Sequence, residues 1–133
     1  MKLSTLACST LVFAALTSAQ HTFSQADVDD GARLFRANCV ICHGPDGDKV
    51  SGVDLGHGKF RRATTNEDVE NIIIKGVPGT AMPPHNFTER EAFTIVIYLR
   101  KMADIAADFD RRFAALSPED RTARAHAGQL PPG

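Results

Sequence analysis

The sequence predicts an all-α domain. Three segments carry apolar residues at helical period, and no segment alternates with the period of two that a half-buried strand requires. Between the first two helices runs a long loop, residues 44–65, rich in Gly and Asp. The first helix begins at Ser24, whose hydroxyl can cap it, with Asp27, Asp29 and Asp30 near its positive end. Val28, Ala32 and Phe35 share one face, and Gly31 in the middle costs about 1 kcal/mol against Ala. The second helix starts at Thr65-Asn66, carries Val69, Ile72 and Ile73, and stops at Gly76.

The third helix has the clearest pattern. Thr88 and Glu91 form a capping box, and Ala92, Ile95, Val96, Leu99 and Met102 make a continuous apolar face. Phe93 and Ile97 widen that face until the middle of the helix is nearly apolar all round. Beyond Ala103 the pattern thins. Phe109, Phe113 and Leu116 keep helical spacing, and Ser117-Pro118-Glu119-Asp120 opens a further helix with Pro in its first turn. Alanine and arginine follow with little to bury, so a weak C-terminal helix is expected, lying on the domain or helping a partner dock. Leu130-Pro131-Pro132-Gly133 is expected to fray.

The N-terminus reads as a secretory leader. Lys2 provides the positive start, Leu3 to Leu16 carry no charge, and Thr17-Ser18-Ala19 offers small residues for cleavage after Ala19. Ser4, Thr5, Ser9 and Thr10 dilute the apolar run, which falls short of the roughly 20 residues a spanning helix needs. The expected organisation is a signal peptide over 1–19, one domain over 20–106, and a helical extension with its tail over 107–133. No stable membrane span remains after cleavage, and the expected location is periplasmic or secreted. About 114 residues of the 133 then remain, enough for a single domain. They hold 14 basic against 16 acidic side chains, with no basic stripe, which excludes a nucleic-acid binder.

Export sharpens the cysteine count. Of three cysteines, Cys8 leaves with the leader, and the other two stand in Cys39-Val40-Ile41-Cys42-His43. Cys-x-x-Cys-His is the attachment signature of c-type haem. Two thiols at this spacing can each form a thioether to one vinyl group of the macrocycle, and the adjacent imidazole then meets the iron. A thioredoxin-like pair would open a helix in a βαβ setting, whereas this one ends a helical segment. Zinc would require a second pair of ligands, and the other histidines stand singly at 21, 57, 85 and 126. A disulfide across two residues would staple almost nothing. A cofactor also explains the long loop, because a planar group can replace missing side-chain core. Within that loop Lys59, Arg61 and Arg62 could neutralise haem propionates, form a docking rim, or simply be solvated.

The second axial ligand is read from another segment. In Gly76-Val77-Pro78-Gly79-Thr80-Ala81-Met82-Pro83-Pro84, a stiff and turn-rich loop, Met82 is the only soft donor. A thioether on iron favours the ferrous state. Met102 reads as core of the third helix, and His57 and His85 are the remaining alternatives.

Together these features resemble the class I c-type cytochromes, which hold one haem between a His and a Met. The resemblance rests on Gly31-Ala32-Arg33-Leu34-Phe35, the Cys39–His43 string, Gly79-Thr80-Ala81-Met82-Pro83, and Tyr98-Leu99 in the third helix. It runs from about Asp27 to Ala103. It implies a small cytochrome c-like fold, three main helices and long loops wrapped around one covalent haem c. Cys39 and Cys42 would be the thioether donors, His43 and Met82 the iron ligands, and Gly31 the close-approach point for the helix bearing Tyr98. One departure stands out: such cytochromes often have Gly-Pro-x-Leu after the motif, the proline carbonyl accepting the ligand histidine's ring N–H. Here Gly52-Val53-Asp54-Leu55 stands instead, and the carbonyl of Val53 is the expected substitute.

With both axial positions filled, iron has no open site, so the expected role is an electron carrier and not an enzyme. Donors would be a dehydrogenase or a quinol-oxidising complex, and acceptors an oxidase or another cytochrome. Two alternatives stay open: a small haem enzyme or gas sensor with a displaceable sixth ligand, and a dedicated cytochrome subunit of a periplasmic dehydrogenase.

Overall fold

A computed structural model describes residues 23–128; the expected leader over 1–19 and the expected frayed tail at Leu130–Gly133 lie outside that range. In chain order the helices are α1 (Gln25–Asn38), α2 (Val40–His43), α3 (Asn66–Lys75), α4 (Glu89–Ala114) and α5 (Pro118–His126). No strand forms among the described residues, and a single antiparallel bridge joins Asp54 to Lys59. The all-α expectation holds.

Three of the helices open on the same device. The hydroxyls of Ser24, Thr65 and Thr88 accept from the backbone N–H three residues on, and Asp27, Asp68 and Glu91 accept from the cap backbone in return. The Asp68 carboxylate gathers the N–H groups of both Thr64 and Thr65 as well as their hydroxyls, which holds its pKa down at about 2. Asp27 serves twice, since it also pairs with Arg90 at 2.7 Å and so ties the start of α1 to the start of α4.

Helix α4 packs against α1 and then α3, and that crossing is where the core sits. Phe35, Ile95 and Val96 are each 1 % exposed, and Val69, Ile73, Ala92 and Leu99 complete the layer. Full burial of such a side chain contributes about 2–3 kcal/mol. At the crossing Gly31 lies against the α4 backbone. A Cβ there would stand 2.7 Å from the Thr94 carbonyl carbon and 2.9 Å from Tyr98 Cβ, so only glycine permits this approach. The rings of Phe35 and Tyr98 lie 5.5 Å apart beside it. The helix-interior glycine is thus a contact point, as the resemblance implied.

The third main helix is longer than its apolar face suggests: 26 residues, about 39 Å. The expected boundary at 106 falls inside it. Ala103 to Phe109 contains neither Gly nor Pro to break the helix, and Ala106 is buried. Further along, Asp108 pairs with Arg111 and Arg112 across the last turns. Helix α5 forms where the Ser-Pro start places it, yet none of its side chains is buried. No helix among the described residues is long and apolar enough to cross a membrane.

Candidate functional site

A cleft of about 210 Å³ opens between the inner faces of α1, α3 and α4, the loop after α2 and the segment after α3. Its walls are apolar. Phe35 comes from α1, Val69, Ile72 and Ile73 from α3, and Ile95 and Leu99 from α4. The loops add Val50, Val53, Leu55, Phe60 and Val77. Into this lining project a few groups with chemistry: Cys39, His43, Met82, Thr80, Arg61 and Arg62. An apolar pocket with a small set of convergent polar groups is the usual form of a cofactor site.

The attachment string is a single tight turn continuing α1. Cys39 caps α1 through its N–H to the Phe35 carbonyl, and His43 N–H returns to the Cys39 carbonyl at 2.9 Å. Cys39 and His43, four apart, therefore share the cleft-facing side, while Cys42 is exposed. No disulfide joins the cysteines. Burial, with Cys42 adding to it, pushes the Cys39 thiol up to about 11 and keeps it protonated. Burial also lowers the pKa of His43, helped by the charge of His85, which favours the neutral imidazole with its free lone pair. Its Nδ1 is buried without any hydrogen-bond partner, so the carbonyl of Val53 does not serve as the expected acceptor.

Met82 arrives from a different element. Helix α3 stops at Gly76, whose φ of 68° takes the chain out of the helix. A side chain there would also strike the backbone of Pro83 and Pro84, at 2.6 Å, so the segment bearing Met82 crosses directly over the helix end. Val77 N–H bonds the Met82 carbonyl at 3.0 Å, and Thr80 Oγ1 accepts from Met82 N–H at 3.2 Å while donating to the Val77 carbonyl. The loop is thereby closed on itself with the half-buried Met82 lining the cleft. Thr80, two residues before it, was not singled out from sequence; its hydroxyl at a turn position is the signal that marks it.

The competing donors go elsewhere. His85 places Nδ1 at 3.1 Å from the Ile73 carbonyl and stacks on Phe87. His57 sits 2.9 Å from Asp54 and 3.9 Å from Asp110, and lines a separate crevice with Met102 and Phe109. The basic trio also divides. Lys59 reaches back to Asp54 at 3.4 Å, while Arg61 and Arg62 line the cleft. Among the described residues no three His, Cys, Asp or Glu side chains converge as a metal cage.

The family model described as cytochrome C oxidase, cbb3-type, subunit III matches residues 26–99. The chain belongs to that family. It is a c-type cytochrome domain with one covalently attached haem c, and its activity class is haem-based electron transfer. No curated protein and no solved structure was found to match it. The residues present suit the group. The cytochrome offers a mostly apolar cleft for the macrocycle, the unbridged thiol of Cys39 in its lining with that of Cys42 exposed one turn away, a half-buried imidazole whose Nδ1 is buried, and two guanidinium groups in the lining.

Proposed function

We propose that this cytochrome is an exported carrier that passes single electrons between redox partners. In this reading Cys39 and Cys42 hold the haem through thioethers, and His43 and Met82 ligate its iron. The observation that carries it is the convergence of His43 and Met82, from separate elements, on one apolar cleft. Bound haem supplies a one-electron ferric/ferrous couple. The chain does the rest: His43 presents a neutral imidazole, Met82 a soft thioether, and the apolar walls exclude water, which favours the less charged ferrous state. With two protein ligands no position is left for oxygen, peroxide or substrate, so the haem enzyme and the gas sensor are disfavoured. The leader over residues 1–19 supports export. By the chemistry of such a couple, a dehydrogenase or quinol-oxidising complex would be the donor and an oxidase or another cytochrome the acceptor.

Exposure of the reduced protein to carbon monoxide tests this. A six-coordinate carrier leaves its spectrum unchanged; rapid conversion to a carbonyl adduct would mean that Met82 is absent from the iron or readily displaced. A dedicated-subunit role draws on one observation, that no side chain of α5 is buried. Truncation after Ala115 would abolish co-purification with a fixed partner in that case, and would leave a free carrier's electron exchange unchanged.

A further inference from the structure

The turn over residues 54–59 has two sides. Its backbone N–H groups at Asp54 and Lys59 close on each other's carbonyls at 3.0 and 2.7 Å. Val53, Leu55 and Phe60 line the haem cleft, while Gly56 and His57 line a second crevice, of about 220 Å³, against α4. Met102, Ile105, Ala106 and Phe109 form the far wall of that crevice, all beyond Leu99, where the family match ends. The fit is close: a Cβ added at Gly58 would stand 3.2 Å from that of Ala103. His57 is held between the two elements, its side chain only 15 % exposed. Nδ1 lies 2.9 Å from Asp54, and Nε2, across the ring, lies 3.9 Å from Asp110 of α4. Few other charges face it. Lys59 pairs with Asp54 at 3.4 Å, Asp46 lines the crevice, and the Arg100 guanidinium is turned to Phe60 and Asn66.

Burial works against ionisation of Asp54, but hydrogen bonds from the ring and backbone N–H of His57 outweigh it and hold the carboxyl below its ordinary pKa. A carboxylate only accepts, so Nδ1 carries the proton of the neutral ring and Nε2 keeps the lone pair. The free nitrogen thus faces the crevice and a second carboxylate. We propose that His57 is the proton-linked residue of this cytochrome: Nε2 takes a proton from solvent as an electron reaches the haem, and returns it as the electron leaves. The inference rests on the proposed placement of haem in the cleft, whose wall at Leu55 is two residues from His57. Reduction leaves the iron site one unit more negative, which favours the imidazolium, and oxidation reverses this. Because the ring is largely shielded, salt screens the interaction less than it would at the surface. Asp110 favours the same protonated form, so the extension of α4 sets the pH at which the link operates.

The test is the midpoint potential of the haem-loaded protein measured against pH, for wild type, His57→Gln and Asp110→Asn. It is joined by the ring titration of His57, followed by NMR in oxidised and reduced wild type. The wild-type potential should fall as pH rises through the histidine range, about pH 5 to 8, and level off on either side. His57→Gln should flatten that fall, and Asp110→Asn should move it to lower pH. The His57 ring should titrate at higher pH in the reduced protein than in the oxidised one, a readout that needs no variant. With covalent haem in place, three results would each overturn the assignment of His57 alone. These are a wild-type potential independent of pH, a fall that persists unchanged in His57→Gln (the haem carboxylates then carrying the proton), and a ring that titrates identically in both redox states. An unmoved curve in Asp110→Asn would overturn the part given to α4. Wild type without covalent haem would overturn the placement beneath it, and this assignment with it.

Discussion

Where α1 crosses α4, side chains complete the interior by themselves; at the loop wall of the cleft, the chain leaves the interior to its cofactor. The crossing has Phe35, Ile95 and Val96 each 1 % exposed and Gly31 pressed on the α4 backbone. The wall from Gly44 to Thr64 has only Leu55 and Ala63 as buried apolar side chains. Few backbone bonds shape it, chiefly Lys49 to His43, Leu55 to Gly47, and the Asp54–Lys59 pair. A folded helix pair can therefore present the Cys39–His43 turn, whereas the facing loops have little reason to stay closed without haem. Attachment and stability are linked in this design.

The largest break in that comparison is to withhold the haem. The cleft of about 210 Å³ takes its apolar filling from the haem, whose burial of apolar surface stabilises the closed loops. Urea unfolding should show a lower midpoint for the haem-free chain than for the haem-loaded one. Amide exchange should show residues 44–64 losing protection before α1 and α4, and equal loss in both regions would count against the contrast.

The helix side can be broken separately. Gly31→Ala forces a methyl group into the Thr94 backbone and should cost about 3 kcal/mol, read as a fall in the urea midpoint. The haem spectrum should be retained, because the cleft lining is untouched.

A smaller effect concerns the start of α3. Asp68 has its pKa held at about 2 by Thr64 and Thr65, below the unfolded value. A depressed carboxylate contributes stability above its unfolded pKa and loses it as pH falls through the folded one. Asp68→Asn should therefore flatten the acid limb of stability between about pH 4 and pH 2. An unchanged acid limb would show that the cap hydrogen bonds carry no differential proton affinity.

Much of this architecture was legible because it is local. The starts at Ser24, Thr65 and Thr88 follow from a hydroxyl before an apolar periodic run, and the stop at Gly76 from a residue free to adopt positive φ. The reciprocal role of Asp27 and Asp68 is hidden in the sequence because the capping pattern is written with Glu or Gln at that position. The full length of α4 is hidden because its apolar face thins beyond Met102 while its backbone propensity does not. The candidate ligands were legible from residue chemistry and spacing alone. What could not be read was anything set by the path of the long loop: that Lys59 turns to Asp54 while Arg61 and Arg62 turn to the cleft, or that Nδ1 of His43 lies buried without the Val53 carbonyl. Those depend on contacts between segments that no local pattern encodes.

If His43 and Met82 close on one iron, the far-red absorption band that reports sulfur on ferric haem is the measurement to make, recorded for haem-loaded wild type and Met82→Ala. The band is expected in wild type and absent from Met82→Ala, with a lower reduction potential in the variant. Identical spectra from the two proteins would contradict it.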